Sequence, residues 1–198
     1  MKKFIGLTGG IAAGKSAVVK ILQNLNIRVI DCDKLAREAV QPGSGCLDEI
    51  AALFGLAVLN QDGSLNRQIM AKQVFSEPKK RLALEKIIHP FVEQRMLAEM
   101  QDGFSRGEQL VVADVPLLFE VGWQQRFDEI WLVVCDDRTR INRMIDRDGI
   151  DAAAASKRLA AQWPQSDKLA VADQIIDNNA TFADLETRVR LLVSQNKQ

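Results

Sequence analysis

The sequence predicts a three-layer, doubly wound α/β fold with a parallel five-stranded sheet. Five short runs rich in Val, Ile and Leu recur along the chain, as expected of strands buried on both faces. Helical stretches separate these runs, and strands that alternate with helices form parallel sheets. The uneven spacing of the runs predicts two helical insertions. The predicted strands are Phe4–Thr8, Ile27–Asp31, Gln109–Asp114, Glu129–Cys135 and Gln174–Asp177.

Length and composition narrow the class of protein. The 198 residues are 47% hydrophobic, which suits one domain with insertions. The 26 basic and 26 acidic residues cancel, which argues against a nucleic-acid-binding surface. The three cysteines form no C-x-x-C motif, so neither a zinc site nor a disulfide framework is indicated. With no membrane-length apolar run and no room for a signal peptide, we expect a cytoplasmic protein without membrane, nucleic-acid or obligate protein partners.

The first predicted strand runs directly into a phosphate-binding pattern. Gly9–Ser16 reads G-x-x-x-x-G-K-S, and a helical stretch follows from Ala17. Glycines let the backbone approach phosphate oxygens, and the amides at the helix N-terminus converge on the anion. Lys15 adds a charge for the β- and γ-phosphates, and the Ser16 hydroxyl can reach Mg²⁺. The pattern predicts a bound nucleoside triphosphate with Mg²⁺; the structural alternative is a glycine-rich turn that caps a helix.

A long crossover separates the second and third strands. It contains about eighty residues, too many for a loop in a compact domain. Leu47–Phe54, Asn66–Phe75 and Pro78–Met100 are predicted helices, and Pro78 suits a helix start because its missing N–H costs nothing there. The crossover follows the second strand, so we expect it at the carboxyl edge of the sheet, where ligands of such folds bind. This predicts a helical subdomain for a second substrate.

Carboxylates stand at the ends of two predicted strands. Asp33 lies just past the second strand, and it is our candidate for orienting and deprotonating an acceptor hydroxyl. The alternative is that Asp33 only caps the helix Lys34–Val40. For Asp31 the structural interpretation is favoured. Asp114 ends the third strand like an aspartate that holds Mg²⁺ directly or through water, and it could converge with Lys15 and Asp33 on one phosphoryl group.

The second insertion, Arg138–Ala172, is rich in arginine. It is predicted to form a helix, a turn at Asp148-Gly149, another helix and a turn at Trp163-Pro164. It resembles a lid that delivers guanidinium groups to a transferring phosphate, and Arg147 is the best single candidate. Solvated helix charges are the alternative. The arginines are Arg138, Arg140, Arg143, Arg147 and Arg158.

Two further residues are left open by the sequence. Glu120, six residues after Asp114, is either a site residue or a solvated carboxylate. His89 is the only histidine, and a structural role is favoured, although it lies in the crossover where the second substrate is expected.

Several longer motifs together resemble the dephospho-coenzyme A kinase family over essentially the whole chain. They are Ile5-Gly-Leu-Thr-Gly-Gly-Ile-Ala-Ala-Gly-Lys-Ser16, Val29-Ile-Asp-Cys-Asp-Lys-Leu-Ala-Arg37, Val40-Gln-Pro-Gly43, Ile88-His-Pro90, Asp114-Val-Pro-Leu-Leu-Phe-Glu120, Arg158-Leu-Ala-Ala-Gln162 and Ala172-Asp-Gln-Ile-Ile-Asp-Asn-Asn179. Three positions depart from the pattern. Ala12 stands where a glycine is frequent, Cys32 where a small residue is common, and Ala180 where glycine is usual. None of these changes removes a functional group.

The resemblance implies a P-loop kinase similar to nucleoside monophosphate kinases, with a core (1–32, 108–137 and 173–198), a helical substrate subdomain (33–107) and a lid (138–172). The implied reaction converts ATP and dephospho-CoA into ADP and CoA, with Mg²⁺, by attack of the ribose 3′-hydroxyl on the γ-phosphate. Asp33 is implied to be the general base.

The resemblance also implies sets of binding residues. ATP is expected to contact Gly9, Gly10, Ile11, Ala12, Ala13, Gly14, Lys15, Ser16 and Ala17, with Asn178 and Asn179 near its adenine. The implied acceptor site comprises Asp33, Arg37, His89, Asp114 and Leu117. The implied lid residues are Arg143, Arg147, Arg158 and Gln162.

Other readings of the phosphate-binding pattern differ in what they require. A regulatory GTPase would carry an N-K-x-D motif, and none occurs in the sequence. Another small-molecule kinase of the nucleoside monophosphate kinase type remains an alternative. A non-catalytic nucleotide-binding module is less favoured, since it needs neither lid arginines nor carboxylates at strand ends.

Overall fold

The fold is a parallel sheet of five strands with helices between them, and it confirms the predicted fold class. The computed structural model describes residues 2–196. Each strand begins and ends within one residue of its predicted bounds. The strands are β1 (Lys3–Gly9), β2 (Arg28–Asp31), β3 (Leu110–Asp114), β4 (Glu129–Val134) and β5 (Gln174–Asp177), and their order in the sheet is β2-β3-β1-β4-β5.

The central position of β1 determines what surrounds its carboxyl end. On one side Leu7 pairs with Asp114 of β3, and on the other Gly9 pairs with Val133 of β4. The carboxyl ends of parallel strands lie at the same edge of a sheet. The phosphate-binding pattern, which begins at Gly9, therefore emerges between the ends of β3 and β4.

Nine helices complete the described part of the chain, together with two short 3-10 helices. They are α1 (Lys15–Asn24), α2 (Cys32–Ala39), α3 (Gly45–Phe54), α4 (Arg67–Ser76), α5 (Pro78–Ser105), α6 (Asp137–Asp148), α7 (Ala152–Ala160), α8 (Gln165–Leu169) and α9 (Phe182–Asn196). Within residues 2–196, no helix has both the length and the apolar character that crossing a membrane requires.

Helices α5 and α8 differ most from the prediction. Helix α5 continues through Pro90 and beyond Met100 to Ser105, although proline lacks the N–H that a helix interior uses. After the turn at Trp163-Pro164, where no helix was predicted, α8 forms, and it places Lys168 in a buried position. An element of five residues is too short to give a periodic signal.

The chain divides into two compact units. The first comprises Met1–Ile30 and Met100–Gln198, and the second comprises Asp31–Glu99. On one sheet face, alternate residues such as Ile5 and Leu7 pack with α1 and α9 and form a core cluster of the first unit. The strand residues between them, such as Phe4 and Val111, are buried as well. The second unit has its own small core, formed around Val40, Ile50, Val58 and Met70.

Helix α2 begins earlier than predicted, and this changes which aspartate caps it. Asp31 is the N-cap residue, and its carboxylate accepts a hydrogen bond of 2.9 Å from the backbone N–H of Lys34. The structural interpretation of Asp31 is therefore confirmed. The capping alternative for Asp33 is wrong, because Asp33 lies inside the first turn with an exposed side chain.

We expect the substitution Asp31→Ala to destabilise the chain by about 1 kcal/mol, the usual cost of losing an N-cap side chain. Asp31→Asn preserves an acceptor at the same place and should be close to wild type. Chemical denaturation of the three proteins measures the difference. Equal destabilisation by Ala and Asn would show that the carboxylate does something other than capping.

Candidate active site

The backbone between β1 and α1 is a tight loop, here called the P-loop (residues 9–16). The N–H of Ala13 donates to the carbonyl of Gly10 at 3.0 Å, which closes a turn. Two residues have left-handed backbone, Ala12 with φ 59° and Gly14 with φ 95°. The amides at the start of a helix lack partners inside it, and in α1 the N–H of Ala17 donates to the Gly14 carbonyl at 3.0 Å while the amides before it face the loop end, so the loop ends at a site suited to an anion.

Side chains from elsewhere in the first unit hold three consecutive P-loop carbonyls. Arg140 Nε donates to the Ile11 carbonyl at 3.0 Å, and an Arg143 guanidinium nitrogen donates to the Ala12 carbonyl at 3.2 Å. The amide nitrogen of Asn178 donates to the Ala13 carbonyl at 2.8 Å. In a trans peptide the N–H and C=O point in opposite directions. Fixing the Ile11 and Ala13 carbonyls outward therefore turns the N–H groups of Ala12 and Gly14 toward the opposite side, where they can contribute to an anion-binding nest.

The two arginines and Asn178 approach so closely that the loop glycines have no room for a side chain. A Cβ at Gly10 would lie 2.3 Å from a guanidinium nitrogen of Arg140, and a Cβ at Gly14 would lie 2.0 Å from the Asn178 amide nitrogen. At Ala12 the chain has a side chain in left-handed backbone, which costs an L-residue about 1–2 kcal/mol. The family resemblance expects glycine at this position, and its backbone explains that preference.

Lys15 forms an ion pair with Asp114, because Asp114 ends the strand next to β1. Both side chains are mostly buried, with 17% and 16% of their surface exposed. The Ser16 side chain is exposed in the first turn of α1. Two of the three groups predicted to converge, Lys15 and Asp114, are therefore in direct contact. The third, Asp33, belongs to the second unit.

The predicted lid, residues 138–172, touches the P-loop at more than one place. Besides Arg140 and Arg143, the side-chain oxygen of Gln162 accepts a hydrogen bond of 2.8 Å from the Ile11 N–H. Arg140 is 5% exposed and also pairs with Asp137 at 3.0 Å. The contacts of Arg140, Arg143 and Gln162 with the P-loop were not predicted, since they join residues more than a hundred positions apart.

Arg147 and Arg158 lie elsewhere in the lid, where both bind the carboxylate of Asp148. Arg147 donates to it at 2.7 and 3.1 Å, and Arg158 donates at 2.7 Å. The hydrogen bond from Arg147 lowers the pKa of the Asp148 carboxyl below its ordinary value, so this carboxylate stays charged at neutral pH. Arg147 is exposed. Of the predicted lid residues, Arg143 and Gln162 thus contact the P-loop, whereas Arg147 and Arg158 share a carboxylate.

Asn178 and Asn179 follow β5 and fasten neighbouring elements. Asn178 is 7% exposed and supports the P-loop, as described above. The Asn179 side-chain oxygen accepts a hydrogen bond of 2.8 Å from the N–H of Asp136, the residue that caps α6. The two asparagines therefore fix both the P-loop and the start of the helix that carries Arg140 and Arg143.

The second unit contains an open cleft of about 440 Å³ between α2, α4 and α5. The exposed Asp33 and Arg37, one turn apart on α2, both line it. Arg67 at the start of α4 adds a second cation. It was not predicted, because an arginine at a helix start is ordinary. His89 is half-buried on α5, next to Ile88, which lines the cleft. Leu117 belongs to the first unit, where 45% of it is exposed.

Known proteins are similar to this chain in sequence and in fold. A family model described as dephospho-CoA kinase matches residues 3–184. The chain belongs to the dephospho-CoA kinase family. A dephospho-CoA kinase from Shouchella clausii is 45% identical over 177 residues, which cover 89% of this chain and 90% of that protein.

Solved structures of the same fold cover the whole chain. The crystal structure of a Thermus thermophilus protein, 33% identical, superposes with a TM-score of 0.83 over 98% of this chain and 97% of that one. A dephospho-CoA kinase from Campylobacter jejuni, 26% identical, superposes with a TM-score of 0.75 over the same shares. The predicted family is thus confirmed.

We expect Gly14→Ala to abolish nucleotide binding, because the new Cβ would collide with Asn178 and the residue would keep a left-handed backbone. Ala12→Gly is the matched control in the same loop. It removes the left-handed cost of Ala12 but adds about 0.4–1 kcal/mol of unfolded-state entropy, so stability should change little. Nucleotide titration and denaturation of both variants measure these effects. Wild-type affinity in Gly14→Ala would contradict the crowded loop described here.

Proposed function

We propose that this chain transfers the γ-phosphoryl group of ATP to the ribose 3′-hydroxyl of dephospho-CoA, giving ADP and CoA. The observation that carries the proposal is the P-loop, in which three side chains hold consecutive carbonyls outward beside Lys15. Membership of the dephospho-CoA kinase family supports the donor and the acceptor. Phosphoryl transfer asks mainly for positioning and charge neutralisation, and both are properties of this loop.

In the proposed site, ATP lies at residues 9–17, and its β- and γ-phosphates bind chiefly the amides at the N-terminus of α1, from Gly14 onward. Lys15 would exchange its contact with Asp114 for the phosphate oxygens, where negative charge develops during transfer. Asn178 acts on ATP through the loop, by holding the Ala13 carbonyl. Asn179 lies beside it, and we propose that this end of the loop borders the adenine.

The residues present also fit a magnesium ion. Mg²⁺ is usually held by one or two protein oxygens together with substrate phosphates and water. The exposed Ser16 hydroxyl and the Asp114 carboxylate, which would act through water, supply such oxygens. When bound with ATP, the ion would neutralise phosphate charge.

We propose the cleft of the second unit as the acceptor site, with Asp33 as general base. Asp33 accepts the proton of the 3′-hydroxyl, and the 3′-oxygen forms a bond to the γ-phosphorus. The bond between the γ-phosphorus and the β,γ-bridging oxygen breaks, which releases ADP. The exposed Asp33 side chain is free of capping and has Arg37 and Arg67 for neighbours around the same cleft. Two guanidinium groups suit the anionic pyrophosphate of dephospho-CoA. His89 and Leu117 are proposed as further contacts of this long substrate.

The arginines of the predicted lid are proposed to have two different roles. Arg143 is already at the P-loop, and we propose that it neutralises phosphate charge there. Arg147 and Arg158 share the single carboxylate of Asp148, so together they retain an excess positive charge. Arg147 is proposed to reach the transferring phosphate when the lid closes, since guanidinium can grip two oxygens at once.

We expect Lys15→Ala to lose at least about 3 kcal/mol of transition-state stabilisation, seen as a fall in kcat/KM. Lys20→Ala, an exposed lysine on the same helix, is the control and should behave like wild type. The measurement is ADP formation with dephospho-CoA as acceptor. Wild-type turnover by Lys15→Ala would overturn the assignment of the P-loop.

We expect Asp33→Asn to keep ATP binding and to lose phosphoryl transfer by about 10²–10⁴-fold, as is usual when a general base is removed. The substitution spares the cap of α2, which is Asp31, so the fold should remain. Asp48→Asn, an exposed aspartate in the first turn of α3, is the control. ATP titration and acceptor-dependent ADP release separate the two effects. If Asp33→Asn retained a third or more of kcat, another group would have to orient the hydroxyl.

A further inference from the structure

Glu120, which the sequence left open, makes a buried contact with the lid. Its Oε1 atom accepts a hydrogen bond of 2.8 Å from the Lys168 ammonium and one of 3.3 Å from the Trp163 backbone N–H. The Lys168 side chain is only 3% exposed, and that of Glu120 is 20% exposed. Glu120 is therefore not a solvated carboxylate, and it is joined to the lid by two hydrogen bonds.

An aromatic contact reinforces the same junction. The ring of Phe119 stacks on that of Trp163, with 6.2 Å between centroids and 13° between planes. Phe119–Glu120 thus holds the segment Trp163–Lys168 through a side chain, a backbone amide and an aromatic ring. The residue immediately before this segment is Gln162.

Gln162 connects this segment to the P-loop. Its side-chain oxygen holds the Ile11 N–H, while Arg140 holds the Ile11 carbonyl. Both polar backbone groups of Ile11 are therefore fixed by side chains. The amides that a helix N-terminus offers to an anion come later, at Gly14 and beyond, so Gln162 need not leave when phosphate binds.

The junction is costly if stability is its only purpose. Burying an ion pair often contributes less than an apolar pair of the same size. In addition, Glu120 Oε2 is buried, and it has no hydrogen-bond partner among the residues described. A buried oxygen without a partner is a net cost. The retention of both charges fits a role in placing the lid rather than in stabilising the fold.

We propose that Gln162 is a positioning residue of the nucleotide site and that Glu120, paired with Lys168, acts through it. Glu120 fixes the position of the segment Trp163–Lys168, and this segment fixes the position of Gln162. Gln162 in turn orients the Ile11 peptide, so that the P-loop has its binding conformation before ATP binds. This inference rests on the proposed binding of ATP at the P-loop.

The first measurement is ATP affinity by calorimetric titration, without acceptor, at a temperature well below unfolding. Gln162→Ala should weaken ATP binding roughly tenfold, the scale of one lost hydrogen bond. Gln125→Ala, an exposed glutamine of the same unit, is the control and should bind like wild type. If Gln162→Ala also bound like wild type, the proposal would be overturned.

The second measurement tests whether Glu120 acts through Gln162. Because Glu120→Gln leaves Lys168 buried and unpaired, the variant of choice replaces both charges, Glu120→Met with Lys168→Met, which should keep the fold. Alone it should weaken ATP binding to about the same degree as Gln162→Ala. Combined with Gln162→Ala it should cause no further loss, because coupled residues are not additive. Multiplied losses, or a Met pair that changes only the melting temperature, would overturn the proposal.

The Lys15→Ala variant keeps this test separate from the proposed function. If the wild type binds ATP and Lys15→Ala binds it weakly, the proposed nucleotide site is supported, independently of the result for Gln162→Ala. A wild type that binds no ATP would overturn both the site and this inference.

Discussion

The constraint on which the rest of the structure depends is the outward orientation of the Ile11–Ala13 carbonyls. A peptide that turns its N–H toward an anion turns its carbonyl the other way, and a carbonyl that points into the protein needs a donor there. Here the donors are Arg140, Arg143 and Asn178. The sheet order supplies them, since β4 lies beside β1 and leads into α6, while β5 comes next and ends just before Asn178. The order of the strands thereby determines which side chains shape this one loop.

The arginines of residues 138–172, the predicted lid, show how one residue type serves different purposes in one segment. Arg140 is buried and acts on the backbone, so its charge is matched locally by Asp137. Arg147 and Arg158 remain accessible and share one carboxylate, so their charge is only half matched. Exposed ion pairs contribute little to stability. Their arrangement therefore leaves positive charge available for a mobile, anionic ligand at small cost.

The sequence predicted the features that depend on local patterns, and the structure added those that depend on tertiary contact. Five strands and the P-loop follow from apolar runs and glycine spacing, which are local. Asp31 and Asp33 are equally good N-caps, so propensity alone could not choose between them; the start of α2 decided it. The contact of Asn178 with Ala13 spans 165 positions, and no local signal carries such a distance. Arg67 was missed because an arginine at a helix start is ordinary, and α8 was missed because five residues are too few to show a periodic pattern.

Trp163 has a consequence for how this molecule is observed. It is 44% exposed, whereas Trp123 is 8% exposed and Trp131 is fully buried. A soluble quencher such as iodide reaches an indole only from the solvent, so the quenchable part of the intrinsic fluorescence comes mainly from Trp163. That residue stands beside Gln162 and stacks on Phe119. Trp163 is therefore a built-in fluorescent probe at the place where the predicted lid meets the P-loop. No label has to be introduced to follow that junction in solution.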